Sequence, residues 1–484
     1  MTLYNSFKKF IHSFAGRFFI SLAVAVCIYP VNLQTVKQQS ANAFSIGEEK
    51  EVGRKLLSIV HKEFDLLDDP DIVQYVTEIG RDILKIAGTQ YFDYHFFIIR
   101  SKEFNAFAAP SGLIFINTGL IDAMENEGEL IGVLAHECGH VTSRHIAERL
   151  EKSKKINIGT LAMAMAAIAV GGGPLAEALL AGSLAAGATM NLKFSREDEE
   201  EADRLAFNWM QEMDRDPADM LGMLKKMRKL TVLNMGEVPQ YLLTHPHPEK
   251  RMDYVQDLLL VKKDGTYPDD ADFDFQRIKY RVLAKTKDTA QVLPLLHKKA
   301  QDIDLDKTDS ISDIMVHYGI SQLYLENGDY AKARTHLSQV VAKLPDKDIL
   351  QTDLGILYNL EGETDKAMTL FRRALQNNPD CIYTAFHLAR LLEKKGESTQ
   401  AVGLYEKVLE KMPAYSMIYY HMGRAVSASG KENEAHYYMG MYSWFEDDPK
   451  VARYHFNKAI ETLPGENELR KKSQKTLERI DEME

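Results

Sequence analysis

Two imidazoles and a carboxylate, in the order His136-Glu137-Cys138-Gly139-His140, are the residues of this chain best suited to do chemistry. They lie within residues 131–150, IGVLAHECGHVTSRHIAERL, where apolar Ile131, Val133 and Leu134 predict a helix with a buried start. Residues four apart on a helix differ by about 40° in azimuth, so His136 and His140 present two rings on one face and can grip one Zn²⁺. Glu137 falls one residue round. Its carboxylate therefore sits beside a metal rather than on it, where it can take a proton from water. A catalytic zinc site uses three protein ligands and keeps one position open, so one ligand is still missing.

The motif is short, and a solvated helix face carries the same letters by accident. Gly139 weighs against that reading, because it allows another element to approach closely. The longer H-E-x-x-H-x-x-G-x-x-H form is absent, since Ser143 stands where its glycine would be and Ile146 where its third histidine would be. His145, five residues past His140, lies roughly 140° round the helix and cannot share the site without distortion. The third ligand must come from elsewhere. Residues 195–203, SREDEEEAD, open a second helix that continues through Leu205, Ala206 and Trp209. If Glu199 ligates the metal, Asp203 shares its face and can accept the second N–H of a ligating histidine. Acidic residues also favour a helix N-terminus through its dipole, which explains the acidity but not the pairing. Glu200 and Glu201 are the neighbouring choices of ligand.

These residues resemble the zinc metallopeptidases of family 48, the HtpX and CAAX prenyl protease type, and most of all their BepA-like periplasmic members with a tetratricopeptide domain. The likeness rests on residues 136–140, on Ser195-Arg196 followed by Glu199-x-x-Ala202-Asp203, and on Asn105-Ala106-Phe107-Ala108 ahead of Gly112. The resemblance implies a gluzincin-type fold, one Zn²⁺ per chain held by His136, His140 and Glu199, Glu137 as catalytic base and Asp203 as its supporting carboxylate. An H-P-x-P-x-x-R segment, His245 to Arg251, is also typical of the family. Pro246 and Pro248 push both histidines toward extended backbone, so their side chains diverge and His245 is expected inward. His245 then either stabilises an oxyanion, occupies the open metal position and silences the site, or merely caps backbone.

The ligand helices need a scaffold. Val52, Leu56, Val60 and Phe64, then Val73, Val76, Ile79 and Leu84, recur at helical spacing, and residues 94–99 and 113–116 read as strands. In such peptidases a substrate commonly pairs its backbone with an exposed strand edge beside the metal. Leu113, Ile114, Phe115, Ile116 and Asn117 are the expected substrate strand, a buried structural strand being the alternative. Between the ligand helices, residues 156–192 hold one charged side chain, Glu177, and Gly171-Gly172-Gly173-Pro174 divides them into pieces too short to span a bilayer comfortably. A buried hairpin, an apolar lid and peripheral membrane contact are three readings of that segment.

Beyond residue 312 a period appears. Gly328, Gly362, Gly396 and Gly430 are spaced alike, as are Ala333, Ala367, Ala401 and Ala435, and Pro345, Pro379 and Pro413. The interval, about 34 residues, is that of the tetratricopeptide repeat, whose helix pairs stack into a solenoid with a concave face for protein partners. Ala452, Phe456, Ala459 and Pro464 repeat the offsets of Ala367, Phe371, Ala374 and Pro379, which suggests a fifth, irregular unit. The charged residues 471–484 read as a solvated cap.

The 484 residues carry a formal net charge of −11, although Lys8, Lys9, Arg17 and Lys37 precede Phe44 without any acid. An acidic body excludes a nucleic-acid partner. The basic leader, the apolar run 18–29 and Ala41-Asn42-Ala43 read as an export signal, with an uncleaved inner-membrane anchor as the alternative. Cys27 follows Val26, which disfavours lipidation, and Cys138 and Cys381 fall in different domains, so no disulfide is expected. The sequence thus reads as a mainly α protein with a small β-sheet. Residues 1–43 form a signal peptide, 44–262 a metallopeptidase domain, 263–312 a linker and helical connector, and 313–484 the repeats. The expected activity is that of an exported zinc metalloendopeptidase in periplasmic, outer-membrane protein quality control, with protein or peptide substrates. The rival is a tetratricopeptide chaperone or assembly factor whose zinc site is structural or latent.

Overall fold

The computed structural model describes residues 45–152, 194–233, 241–262, 267, 273–446 and 448–481. The leader expected at 1–43 and the apolar segment 156–192 lie outside the described residues, as does most of the linker after residue 262. In chain order the first half contains α1 (Ile46–Glu63), α2 (Pro70–Ala87), β1 (His95–Ile99), β2 (Ala106–Ala109), β3 (Leu113–Asn117), α3 (Thr118–Ala123), α4 (Glu127–Thr142) and α5 (His145–Lys152). It continues with α6 (Arg196–Glu212), α7 (Asp219–Leu233), α8 (Tyr241–Thr244) and α9 (Pro248–Leu260). Among the described residues no helix is long and apolar enough to cross a membrane.

The three strands form one sheet in the order β1-β3-β2, β1 parallel and β2 antiparallel to β3. Alternation of side chains gives the sheet two buried faces. Phe97, Phe107 and Phe115 stack on one face with Phe64, just past the end of α1, at ring separations of 4.8 to 5.2 Å. Phe96, Ile98, Ile114 and Ile116 enter the main core with Ile72, Val76 and Ile83 of α2 and Leu130, Val133 and Leu134 of α4. The expectation that residues 113–117 offer a substrate an open edge is corrected here. β3 is hydrogen-bonded on both sides and all five residues are buried, so Leu113, Ile114, Phe115, Ile116 and Asn117 are structural. Beside α4, β2 is the edge strand among the described residues.

A connector of α10 (Phe273–Thr286) and α11 (Thr289–Gln301) leads to five helix pairs: α12 (Ile311–Glu326) with α13 (Tyr330–Lys343), α14 (Ile349–Leu360) with α15 (Thr364–Asn377), α16 (Ile382–Lys394) with α17 (Ser398–Lys411), α18 (Ser416–Ala428) with α19 (Glu432–Phe445), and α20 (Pro449–Thr462) with α21 (Glu468–Asp481). The periodic glycines have a shared cause. Gly328, Gly362, Gly396 and Gly430 follow the first helix of a pair with φ between 78° and 86°, the left-handed region that other residues resist. The periodic alanines are buried where the second helix meets the first. A Cβ on Gly355 would overlap Phe371, sixteen residues on, and a Cβ on Gly440 would overlap Phe456 at the same offset. Therefore α19 closes the fourth pair and also acts as first helix to α20, which explains the irregular fifth unit. The terminal segment is less solvated than its charge suggests, because α21 buries Ser473 and Ile480.

The first half and the repeats are joined by buried charge. Arg281 of α10 donates to Asp69, the N-cap of α2, at 2.9 Å and to Asp353 of α14 at 3.1 Å, and it pairs with Asp71 at 3.0 Å. Arg277, one turn away, pairs with Asp71, while Tyr318 and Tyr383 donate to Asp353 at 3.1 and 2.7 Å. Burial alone would raise the Asp69 carboxyl, yet Arg281 and Lys285 outweigh it and hold it well below the usual carboxylate range. Removing one partner of such a set leaves uncompensated buried charge. Arg281→Ala is therefore expected to cost about 3–5 kcal/mol, read as a lowered denaturation midpoint and faster proteolysis between residues 262 and 311.

Candidate metal centre

The helix α4 begins at Asn126, whose side chain accepts from the Glu129 N–H, and is buried along nearly its whole length. Ser195 starts α6 through a capping box with Asp198. The two helices meet where Gly139 faces Ala202: a Cβ on Gly139 would lie 3.3 Å from the Ala202 backbone. That closeness fixes the site. It sets His136 and His140 opposite Glu199, in the first turn of α6, with Asp203 one turn further.

The ligand-type atoms of His136, His140, Glu199 and His245 all lie within 4.8 Å of one another, and all four residues are buried. His136 Nε2 is 3.0 Å from His140 Nε2 and 3.6 Å from Glu199 Oε2, and His140 Nε2 is 3.7 Å from Glu199 Oε1. His245 Nδ1 stands 3.0 Å from Glu199 Oε1 and 3.4 Å from His136 Nε2. Burial and the surrounding cations and imidazoles hold His136 and His140 well below the usual histidine range, so both rings are neutral. His136 Nδ1 lies 2.9 Å from Asp203 Oδ1. Arg251 Nη2, which only donates, lies 3.2 Å from the same nitrogen, so it is a metal at Nε2 that would place the His136 proton on Nδ1, toward the accepting Asp203 carboxylate. Converging lone pairs and a buried carboxylate are the donor set a divalent transition metal requires, and these residues fit one.

Glu137 is buried beside this cluster, and neither of its oxygens makes a well-formed hydrogen bond. Burial raises its carboxyl above the usual range, opposed by His245 and by the backbone N–H of Ala108 on β2. His245 Nε2 is 3.5 Å from Glu137 Oε1. Burial pushes the Glu199 carboxyl up to about 8, Asp203 adding to the effect and Arg251 opposing it. Burial pushes His245 down to about 4. Glu200 pairs with Arg196 and Glu201 turns toward Ser143, so neither joins the cluster. Of the two histidines that each precede a proline, His245 is fully buried and His247, at φ 65°, is exposed.

Sequence reasoning did not single out Arg251. On α9, this buried guanidinium donates from Nε and Nη2 to both oxygens of Asp203 at 2.9 and 2.7 Å, and its Nη1 lies 2.9 Å from Glu199 Oε2. The signal was its place six residues beyond His245, but nothing in that spacing says which carboxylates it meets. Two further residues frame the rings: Phe194 stacks on His140 at 3.7 Å, and Tyr241 on His245 at 4.2 Å. Arg251→Ala leaves two buried carboxylates uncompensated and is expected to cost about 3–5 kcal/mol in urea unfolding. Arg251→Lys is expected to recover less than half of that, because an ammonium cannot make the two-pronged contact.

Residues 71–259 match the model of Peptidase family M48, and residues 324–394 and 384–415 match tetratricopeptide repeat models. The beta-barrel assembly-enhancing protease of Escherichia coli K12 is 31% identical over 220 residues, which cover 44% of this chain and 44% of that protein. That of Yersinia pestis is 25% identical over 320 residues, 65% of this chain and 63% of that one. The mitochondrial metalloendopeptidase OMA1 of Schizosaccharomyces pombe is 28% identical over 185 residues, 38% of this chain and 52% of that one. The match thus spans less than two thirds of each relative's own length. Sequence and geometry agree that the chain carries a peptidase family M48 domain followed by tetratricopeptide repeats.

Proposed function

We propose that this chain is an exported zinc metalloendopeptidase that cleaves protein substrates in periplasmic quality control of outer-membrane proteins. The observation that carries the reading is Glu137: a buried carboxylate neither of whose oxygens makes a well-formed hydrogen bond, set against a converging donor set of imidazoles and a carboxylate. His136, His140 and Glu199 would hold one Zn²⁺ per chain. Zinc in such a site supplies Lewis acidity, polarising a carbonyl and making water a nucleophile near neutral pH. Glu137 accepts the proton of the attacking water and returns it to the departing amine. Asp203, braced by Arg251, keeps His136 in the tautomer that ligates through Nε2. The edge of β2, Ala106 to Ala109, would hold the substrate backbone, since Ala108 already reaches Glu137. The relatives' printed name, beta-barrel assembly-enhancing protease, supports the substrate class. The repeats would select or present those substrates on their concave face.

His245 has a second role to fill. Its Nδ1 stands inside the donor set rather than beyond it, which favours a fourth ligand that keeps the site latent over an oxyanion donor. Under this reading His245→Ala raises cleavage of an unfolded protein; as an oxyanion donor its loss would lower kcat by roughly 10²–10³-fold.

The experiment that tests the enzyme reading compares Glu137→Gln with the parent chain, with and without chelator. Cleavage is expected to fall at least ~10²-fold while bound zinc remains, and chelator is expected to abolish the parent's activity. Undiminished cleavage by Glu137→Gln would end the reading. If the parent cleaves nothing yet prevents aggregation of a β-rich client, the chain is instead a chaperone or assembly factor with a latent zinc site.

A further inference from the structure

We infer that His145 is a positioning residue for the metal centre: through an imidazole–imidazole contact it sets the tautomer and orientation of His140, as Asp203 does for His136. The inference rests on the metal-site reading above. On an unbroken helix His145 would point away, yet the chain breaks after Thr142, and Arg144 adopts φ 59° before α5 begins at His145. That turn is held from outside. Arg144 donates from Nε and Nη2 to Glu49 Oε2 of α1 at 3.1 and 3.0 Å, an ion pair that compensates the unfavourable backbone conformation.

The turn carries the His145 ring back against the site. His145 Nδ1 lies 3.0 Å from His140 Nδ1, and the residue is 4% exposed. Its Nε2 faces Glu201 Oε2 at 3.5 Å, and the other oxygen of Glu201 accepts from the Ser143 hydroxyl at 3.1 Å. Phe194 covers both rings, at 3.7 Å from His140 and 6.4 Å from His145. Neutral imidazole has one N–H and one lone pair, so the protons along this chain have one self-consistent order. His140 turns its Nε2 lone pair to the metal position and therefore carries its proton on Nδ1. His145 accepts that proton's hydrogen bond at its own Nδ1 and carries its proton on Nε2, toward the carboxylate of Glu201. The two metal-binding histidines are thus fixed by different means, one by a buried ion pair and one by a neutral relay ending at a half-exposed acid.

Zinc affinity of the full chain, measured by chelator competition, tests this without reference to activity. His145→Phe keeps a ring but has no acceptor and is expected to weaken zinc binding by about 10- to 100-fold. His145→Gln, whose amide oxygen can accept from His140 Nδ1, is expected to recover most of the loss. Unchanged affinity in His145→Phe, or an equal loss in both variants, would overturn the relay. In the zinc-loaded parent, ring-nitrogen NMR shifts are expected to show protons on His140 Nδ1 and His145 Nε2; a proton on His145 Nδ1 would overturn it even if a variant fails to fold. His140→Ala serves as the separate control: zinc binding as tight as in the parent would sink the metal site itself and not merely its support.

Discussion

Three carboxylates and three imidazoles leave water together at this site, and such a set is stable only if positive charge is supplied among them. Arg251 supplies one unit, divided between Asp203 and Glu199. Arg251 and His245 also oppose the effect of burial on Glu137, while the Nε2 atoms of His136 and His140 face one another at 3.0 Å. A divalent cation held among them would complete the balance, making scaffold and metal parts of one electrostatic arrangement. The close passage of α4 over α6 at Gly139 makes that arrangement possible, since even a Cβ there would press on the Ala202 backbone at 3.3 Å.

Local periodicity made much of this legible. His136 and His140 share a helix face, as do Glu199 and Asp203, and a helix obeys the same geometry wherever it occurs. The repeat glycines were equally readable, because a left-handed turn demands the same residue at each interval. The partners of each pair were not. Arg251 meets Asp203 across 48 residues, and which strand of three lies in the middle depends on a crossover that alternating hydrophobicity does not encode. Both outer strands and β3 are about equally apolar, so the sequence offered no mark of an edge. His145 stays outside the metal cluster, as its spacing implied, but its contact with His140 was hidden for a related reason. Its azimuth was computed for a continuous helix, and the break at Arg144 depends on an ion pair with Glu49, 95 residues earlier.

The junction with the repeats follows the logic of the metal centre at larger scale. Arg277 and Arg281, one turn apart on α10, gather acids from α2 and α14 into a set buried between the two halves. Hydrogen bonds from Tyr318 and Tyr383 complete the coordination of Asp353, whose carboxyl burial nonetheless raises. A network satisfied to this degree specifies one relative placement of α2 and α14 and tolerates little sliding. The helix α2 in turn packs directly against α4.

The double duty of α19 has a consequence for growth of the array. Solenoids lengthen by whole modules, each offering the next the same surface it received. Here the final step advances by half a module, so the outermost surface belongs to α21, a charged helix with Ile480 and Ser473 turned inward. The half-step thus gives α21 a role no earlier helix has: it covers the exposed flank of a pair formed out of phase, with an apolar inward side and a charged outward one.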